Sequence, residues 1–284
     1  MSQSDDRFTI PFDRLPPGFA ESLDQVPDPP VEPRPAATIV MLRDGPRGVE
    51  TLLLRRTRRA GFVPGAWVFA GGRVDAADGE PAAVARLQGL SPGDAALRLG
   101  LANDAAPSAA AYYVAALREA FEETGLLVGR TRTGAAAPSA GEDPTVEAVR
   151  DRLLGDEITF GDALDALEVV VDGTAVEYVA HWITPLQEHR RYDTRFFAAR
   201  IEREREVLLH PAEMTDALWL TPAEALERHL DGALPMVFPT IRTLEDMRGF
   251  DTADALLDAF GRQAIPAILP RLVKTPTGVG LEIP

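Results

Sequence analysis

One short segment carries an arginine and three glutamates at spacings that could do chemistry. Arg118, Glu119, Glu122 and Glu123 stand in AYYVAALREAFEETGLLVG, residues 111–129. On a helix the three glutamates are three and four residues apart, so their carboxylates share one face. Clusters of carboxylate oxygens are the ligands that Mg²⁺ and Mn²⁺ prefer. The spacing therefore indicates either a divalent-metal site or a solvated acidic face.

The sequence predicts the helix that these carboxylates need. Apolar residues recur at helical spacing from about Ala109 to Thr124, and Gly125 follows as a C-terminal cap. The predicted apolar stripe consists of Tyr113, Ala116, Leu117, Ala120 and Phe121.

Strand and helix signals interleave around this helix. AATIVMLRD and VETLLLRRT, split by DGPRG, predict a hairpin, and AWVFAGG is a third short apolar run ending in Gly71 and Gly72. Further strands are predicted at AVEYVAHWIT, TRFFAARIE and MTDALWLT, and helices at TVEAVRDRLLG, TFGDALDALEVV, PAEALERHLDG, TIRTLEDMRGF and DALLDAFGRQ. This mixture indicates an α/β or α+β fold with a mixed sheet.

The helix and the glycines together resemble the signature of the Nudix hydrolases, G-x5-E-x7-R-E-U-x-E-E-x-G-U, where U is a bulky apolar residue. The second half matches from Arg118 to Leu126, with Ala120 at one U position. Gly72 begins the first half, and Asp78 stands in place of its glutamate. Between Asp78 and Arg118 lie 39 residues where the pattern has 7, so the signature is split by an insertion of 32 residues.

The split signature is similar to the Nudix branch that includes the peroxisomal coenzyme A diphosphatases. Other parts of the similarity are HWITP, RRYDTRFFAAR, ALWLTPAEAL and LPMVFPTIRTLEDM. The resemblance implies a mixed β-sheet sandwiched between helices, with helical insertions. We expect an extended N-terminal arm at residues 1–35 and one Nudix domain at 36–284. That domain would carry insertions at about 79–110 and 131–175 and a C-terminal helical extension.

The resemblance also implies a reaction and roles for the residues. Water attacks a diphosphate linkage with the help of Mg²⁺ or Mn²⁺. Glu119, Glu122 and Glu123 match the metal-binding carboxylates, and a backbone carbonyl of Gly71 or Gly72 completes the ligand set. Arg118 orients a carboxylate of the signature.

A general base outside the signature is expected on a loop after a later strand. Glu213, in HPAEMTDALW, stands at the expected place. Its alternative interpretation is a solvated loop carboxylate. Glu206 is a weaker candidate for the base, and His210 is a candidate by residue type, although a structural role suits it better.

Four arginines indicate where substrate phosphates could bind. Arginine grips phosphate oxygens with two nitrogens at once, so a cluster in an acidic protein points either to a docking site or to a strand-end surface. The cluster consists of Arg55, Arg56, Arg58 and Arg59. The coenzyme A branch has an arginine four residues before Gly65, where this chain has Gly61. Coenzyme A, an acyl-coenzyme A and other nucleotide diphosphates therefore all stay open as substrates.

Composition limits the partners. The 284 residues carry a formal net charge of −15, which disfavours nucleic acid and anionic membrane surfaces. Cysteine is absent, which excludes disulfides and thiol chemistry. The N-terminus does not have the pattern of a signal peptide, and the chain ends in Glu282, Ile283 and Pro284 where peroxisomal relatives have a targeting tripeptide. We expect a cytoplasmic protein whose partner is a small-molecule nucleotide diphosphate, with a homodimer as an open alternative.

Two functions other than hydrolysis of coenzyme A stay open at this stage. The first is hydrolysis of another diphosphate, such as NADH, ADP-ribose, a nucleotide sugar or a dinucleoside polyphosphate. The second is a Nudix-fold sensor that binds a nucleotide metabolite without cleaving it. The intact carboxylates and the absence of a basic helix-turn-helix-like segment favour the enzyme.

Overall fold

The computed structural model describes residues 10–12, 19–23, 26–58, 63–202 and 205–283. The chain divides into two compact units. The larger contains residues 36–179 and 195–264, and the smaller contains residues 1–35, 180–194 and 265–284. The smaller unit therefore groups segments of the predicted 36–284 domain with the predicted N-terminal arm, because strands from both ends of the chain pair there.

The strands alternate with the helices as the sequence predicts. The strands are β1 (Ile10–Pro11), β2 (Arg34–Gly45), β3 (Gly48–Arg56), β4 (Trp67–Val68), β5 (Ala70–Arg73), β6 (Leu87–Gln88), β7 (Arg130–Thr131), β8 (Val169–Asp172), β9 (Glu177–Ile183), β10 (Tyr192–Arg200), β11 (Met214–Leu220), β12 (Ala267–Ile268), β13 (Arg271–Lys274) and β14 (Gly278–Glu282). The helices are α1 (Phe19–Ser22), α2 (Pro81–Val84), α3 (Pro92–Leu99), α4 (Ala109–Thr124), α5 (Pro144–Leu154), α6 (Phe160–Ala166), α7 (Pro222–Leu230), α8 (Phe238–Asp246) and α9 (Ala253–Phe260). Short 3₁₀ helices occupy Ala76–Gly79 and Gly173–Ala175.

The sheet of the larger unit has the order β11-β3-β2-β10-β9. The predicted hairpin is present, because β2 and β3 pair antiparallel with Gly45 opposite Gly48. β5 pairs with β2 and β4 pairs with β3. In the smaller unit β12 pairs parallel with β9, and β14 pairs antiparallel with both β1 and β13. The α/β class with a mixed sheet is confirmed.

Helix α4 is buried almost all round. Of its side chains only Glu119 and Glu122 are partly accessible. Its predicted end is confirmed, because Gly125 adopts a left-handed conformation at φ 70°, which glycine reaches without strain. A solvated acidic face is therefore excluded, since Glu123 is only 2% exposed.

The two insertions pack together within the larger unit. β8 lies between β6, from the first insertion, and β7, with Leu87 opposite Val171 and Arg130 opposite Val170. Residues 79–110 and 131–175 are called the insertion module below. In residues 75–110 the sequence predicts little structure beyond a short helix, but residues 79–110 form α2, β6 and α3. None of the helices in the described ranges combines the length and apolar character of a membrane span.

Candidate active site

Arg118 joins the two halves of the split signature. Its Nε donates to Asp78 Oδ1 at 2.8 Å, and its Nη2 donates to Asp78 Oδ2 at 3.1 Å and to the carbonyl of Arg73 at 2.9 Å. Asp78 is 1% exposed and also accepts the backbone N–H of Asp75. Despite the 32-residue insertion, the 3₁₀ helix that carries Asp78 packs against α4.

The third nitrogen of Arg118 holds two carboxylates of α4. Nη1 donates to Glu119 Oε1 and to Glu122 Oε2, each at 2.9 Å. Burial alone would lower the pKa of Arg118, but its hydrogen bond to Asp78 and the nearby carboxylates raise that pKa above its ordinary value. Arg118 therefore stays protonated and orients both glutamates.

The glycines of β5 lie directly against the helix carboxylates. The N–H of Gly71 donates to Glu123 Oε2 at 3.2 Å. A Cβ atom at Gly71 would lie 2.6 Å from the carbonyl oxygen of Ala37, and one at Gly72 would lie 2.6 Å from Glu119 Cδ. Gly71 needs glycine because the backbone of the neighbouring strand comes too close for any side chain, and a side chain at Gly72 would displace the Glu119 carboxylate.

The carboxylates resist ionisation together. Burial raises the pKa of Glu119 to about 7, although Arg118 opposes the shift. Burial also raises the pKa of Glu122, and it raises the pKa of Glu123 well above its ordinary value. The charge of Glu213 adds to all three shifts.

This donor set fits a divalent cation. If Asp78, the three glutamates of α4 and Glu213 are all ionised, five carboxylates face the guanidinium groups of Arg118 and Arg56, an excess of three negative charges. Oxygen donors with excess negative charge are what Mg²⁺ and Mn²⁺ require. In the described part of the chain no three His, Asp or Glu side chains are already arranged as a metal cage. Arg118 engages one oxygen each of Glu119 and Glu122, which leaves the other oxygen of each outside these two bonds.

The loop that carries Glu213 docks on the end of α4. The N–H groups of Leu208 and His210 donate to the carbonyls of Thr124 and Glu123, each at 2.9 Å. These are two of the carbonyls that a helix end leaves without partners. Glu213 itself is exposed, and its own carbonyl accepts the N–H of Thr57 at 2.8 Å.

The other two candidates for a base lie differently. The backbone N–H of Glu206 donates to Glu142 Oε1 at 3.3 Å, beside Gly141. His210 Nδ1 accepts the N–H of Ala212 at 3.3 Å, so the imidazole stabilises its own loop. Of the three candidates, Glu213 is the one whose charge raises the pKa of the α4 glutamates.

Arg55, Arg56 and Arg58, the described members of the predicted arginine cluster, do not lie together. Arg55 and Arg56 are neighbours on β3 and point to opposite faces. Arg55 pairs with Asp216 at 3.4 Å, whereas the charge of Arg56 lowers the pKa of Glu123. Arg58 is exposed, and Arg59 lies outside the described residues. The structure therefore brings Arg56 alone of the described three toward the carboxylates.

Two arginines of RRYDTRFF, Arg191 and Arg195, are buried. In the larger unit, the guanidinium of Arg195 is 4.4 Å from the ring centroid of Tyr112, and Arg195 is 3% exposed. In the smaller unit, Arg191 donates to the carbonyls of Thr184 and Val31. Both arginines are buried in the fold and hold neighbouring segments.

A cavity of about 290 Å³ lies beside Arg118 and Glu122. The insertion module supplies its other wall, from Leu153 to Asp162, including Ile158 and Phe160. Sequence patterns did not indicate these residues, because nothing in their local spacing shows that α5 and α6 face the signature helix. Their place in the second insertion was the available signal.

Comparison with known proteins agrees with this geometry. The family model of the NUDT19 Nudix domain matches residues 34–247 of this chain. The human acyl-coenzyme A diphosphatase NUDT19 is 28% identical over 285 residues, covering 88% of this chain and 72% of the human protein. The chicken acyl-coenzyme A diphosphatase NUDT19 is 33% identical over 216 residues, covering 65% of this chain and 57% of the chicken protein.

A solved structure shows the same fold. The crystal structure of a Nudix hydrolase from Alicyclobacillus acidocaldarius matches with a TM-score of 0.63 and 30% sequence identity, over 80% of this chain and 96% of that one. Nudix hydrolases generally use divalent metal ions. The family match covers most of the chain and includes both halves of the split signature. The chain therefore belongs to the Nudix hydrolases, in the family of the NUDT19 Nudix domain, and is a Nudix diphosphohydrolase.

Proposed function

We propose that this protein hydrolyses coenzyme A or an acyl-coenzyme A to 3′,5′-ADP and 4′-phosphopantetheine or its acyl form. The oxygen of water bonds to one phosphorus of the diphosphate. The bond from that phosphorus to the bridging oxygen breaks, and the bridging oxygen leaves with the other phosphate. The observation that carries the proposal is the joined signature, in which Arg118 connects Asp78 to Glu119 and Glu122 while Glu123 is anchored on Gly71.

The α4 carboxylates would hold Mg²⁺ or Mn²⁺. Such an ion neutralises the diphosphate and lowers the pKa of the attacking water. Glu119, Glu122 and Glu123 are the side-chain ligands, with a carbonyl of Gly71 or Gly72. Arg118 fixes the directions of two of these carboxylates, which keeps the ligand set ordered before the substrate arrives.

Glu213 would take the proton of the attacking water. It is exposed and so accessible to water, and its charge acts on all three α4 glutamates. The backbone contacts of its loop with α4 hold it near the metal ligands. Arg56 would contact a phosphate of the substrate, because its guanidinium lies close enough to Glu123 to lower the pKa of that carboxyl.

The choice of coenzyme A rests on the relatives. The human and chicken relatives are both acyl-coenzyme A diphosphatases. The principal alternative is another nucleotide diphosphate, because the signature residues act on the diphosphate and leave the rest of the substrate unread.

A substrate panel tests the proposal. The chain is incubated with Mg²⁺ or Mn²⁺ and with coenzyme A, acetyl-coenzyme A, NADH, ADP-ribose or a diadenosine polyphosphate, and the products are separated. We expect coenzyme A or its acetyl form to have the highest kcat/KM and to give 4′-phosphopantetheine or its acetyl form. Faster cleavage of another member would keep the reaction class and overturn the substrate. Tight binding without cleavage of any member would favour a sensor.

A further inference from the structure

The last turn of α4 receives a side chain from the insertion module. Arg150 of α5 donates from Nη2 to the carbonyl of Glu122 at 2.6 Å. Its Nε donates to the same carbonyl at 3.2 Å and to the carbonyl of Phe121 at 2.9 Å. One guanidinium therefore spans two successive carbonyls at the end of the helix that carries the metal-binding candidates.

The Arg150 side chain is buried, and its three hydrogen bonds to α4 go to backbone carbonyls rather than to a carboxylate. It is 2% exposed, and burial lowers its pKa below the ordinary arginine value. Arginine nevertheless keeps its proton in proteins. A cation at a helix C-terminus interacts favourably with the helix dipole, which offsets part of the cost of burying the charge.

The contact acts where the catalytic helix is weakest. The last four carbonyls of a helix have no partner within it, and helix ends fray. Glu122 and Glu123 stand in this last turn, two residues and one residue before its end at Thr124. The carbonyls of Glu123 and Thr124 are held by the Glu213 loop, so Arg150 supplies the contact that the Glu122 carbonyl needs.

We propose that Arg150 is a positioning residue for the metal-binding carboxylates. By holding the backbone of Phe121 and Glu122, it fixes the last turn of α4 and so the directions of the Glu122 and Glu123 side chains. The inference rests on the proposed function of these glutamates as metal ligands. If Arg150 has this role, the second insertion helps to position the metal ligands.

A purely structural role makes a different prediction. Such a role would link metal affinity only to the loss of stability, so any equally destabilising change in α5 would weaken metal binding as much. Val149, which is 7% exposed and precedes Arg150 on the same helix, provides the matched control because its side chain is buried and apolar. Arg152 provides the charge control, since its side chain is 53% exposed.

The test compares Mn²⁺ affinity in full-length variants whose folding is checked by circular dichroism. Free Mn²⁺ is measured by electron paramagnetic resonance for the parent, Arg150→Gln, Arg150→Lys, Val149→Ala, Arg152→Gln and Glu122→Gln. We expect Arg150→Gln to weaken Mn²⁺ binding about 10-fold, as loss of a group behind metal ligands does. Lysine keeps the charge without the two-nitrogen fork, so we expect Arg150→Lys to lie between. If Arg150→Gln does not fold, Arg150→Lys carries the comparison.

Each outcome decides a different claim. Weakened binding in the Arg150 variants, with parental binding in Val149→Ala and Arg152→Gln, supports the positioning role. Parental binding in the folded Arg150 variants while Glu122→Gln loses affinity overturns the positioning role alone. Equal weakening in Val149→Ala and Arg150→Gln overturns it in favour of a structural role. A parent that does not bind Mn²⁺, or binds it no better than Glu122→Gln, overturns the proposed metal site as well.

Discussion

Arg118 and Asp78 form a two-nitrogen, two-oxygen ion pair across 39 intervening residues, with bonds of 2.8 and 3.1 Å. Loop length adds little to the cost of bringing two segments together, so the insertion can grow without opening the signature. The pair is buried at both ends, with Asp78 at 1% and Arg118 at 8% exposure.

Removing the charge of Asp78 should destabilise the fold. Asp78→Asn leaves Arg118 buried with a weaker partner, although Glu119 and Glu122 still compensate its charge. We expect a loss of about 1.5–3 kcal/mol, the usual contribution of a hydrogen bond to a charged group, in the free energy of unfolding, measured by urea denaturation. Asp75→Asn is the control, because Asp75 is exposed and 3.7 Å from Arg118, and it should cost less than about 1 kcal/mol. Equal effects of the two changes would contradict this account of the pair.

A methyl group at Gly72 should impair activity more than stability. The added Cβ would meet the end of the Glu119 side chain, which can move aside at small cost but then leaves its position as a metal ligand. We expect Gly72→Ala to lower kcat at least about 10-fold while the melting temperature changes by only a few degrees. In Gly79→Ala the new Cβ would meet Ala111 at an ordinary 3.7 Å, so parental activity is expected there. Full activity of Gly72→Ala would argue against Glu119 as a ligand.

Replacing the carboxyl group of Glu213 should reduce turnover. Loss of a general base typically costs about 10² to 10⁴ in rate, so we expect Glu213→Gln to lower kcat about 100-fold with little change in KM. Glu206→Gln is the matched control. Glu206 is on the same loop as Glu213, but its backbone N–H donates to Glu142. Initial rates at saturating Mg²⁺ measure both. A larger loss in Glu206→Gln would transfer the role of base to Glu206.

Tyr113 should make stability depend on pH in the alkaline range. Burial raises the pKa of Tyr113 to about 12, while in the unfolded chain the tyrosine ionises near its ordinary pKa of 10.0. The stability that this group contributes is therefore complete below pH 10 and is lost as the pH rises from 10 to 12. Tyr113→Phe cannot ionise. It keeps the ring, whose centroid lies 4.5 Å from that of Phe197.

Urea denaturation at pH 8 and at pH 11 measures this effect. We expect the free energy of unfolding to fall less between the two pH values in Tyr113→Phe than in the parent. At pH 8 the variant should be at least as stable, because the Tyr113 hydroxyl is buried without a hydrogen-bond partner among the described residues. An identical fall in both proteins would show that other groups control the alkaline transition.

Local sequence signals predicted the helix that carries the candidate site, α4. Its apolar spacing and Gly125 are both readable within the segment, and the structure ends the helix at Thr124 as predicted. Residues 131–143 are mostly turns and irregular backbone, as their Ala, Gly and Ser content predicts. That content does not predict that Ala137, Ser139 and Ala140 are buried. The neighbours that bury them are distant in sequence, and composition does not record such contacts.

The sequence predicted only those site residues whose type and spacing the chemistry itself requires. The carboxylates and glycines have spacings that chemistry requires, so the resemblance identified them. Arg150 carries no such signal, because its partners are backbone carbonyls 28 and 29 residues away. The run of arginines misled for a simple reason, since neighbouring residues of a strand face opposite sides and only the paired strands show which side Arg56 occupies.

Turnover of coenzyme A as a function of Mg²⁺ concentration, in the parent and in Glu123→Gln, tests the central claim most directly. Glu123 is buried and anchored on Gly71, so glutamine can keep that hydrogen bond while losing the charge that binds a cation. The account predicts no turnover in EDTA, saturable activation of the parent by Mg²⁺, and a loss of about 100-fold or more in Glu123→Gln. Turnover by the parent that persists in EDTA, or parental turnover in Glu123→Gln, would contradict it.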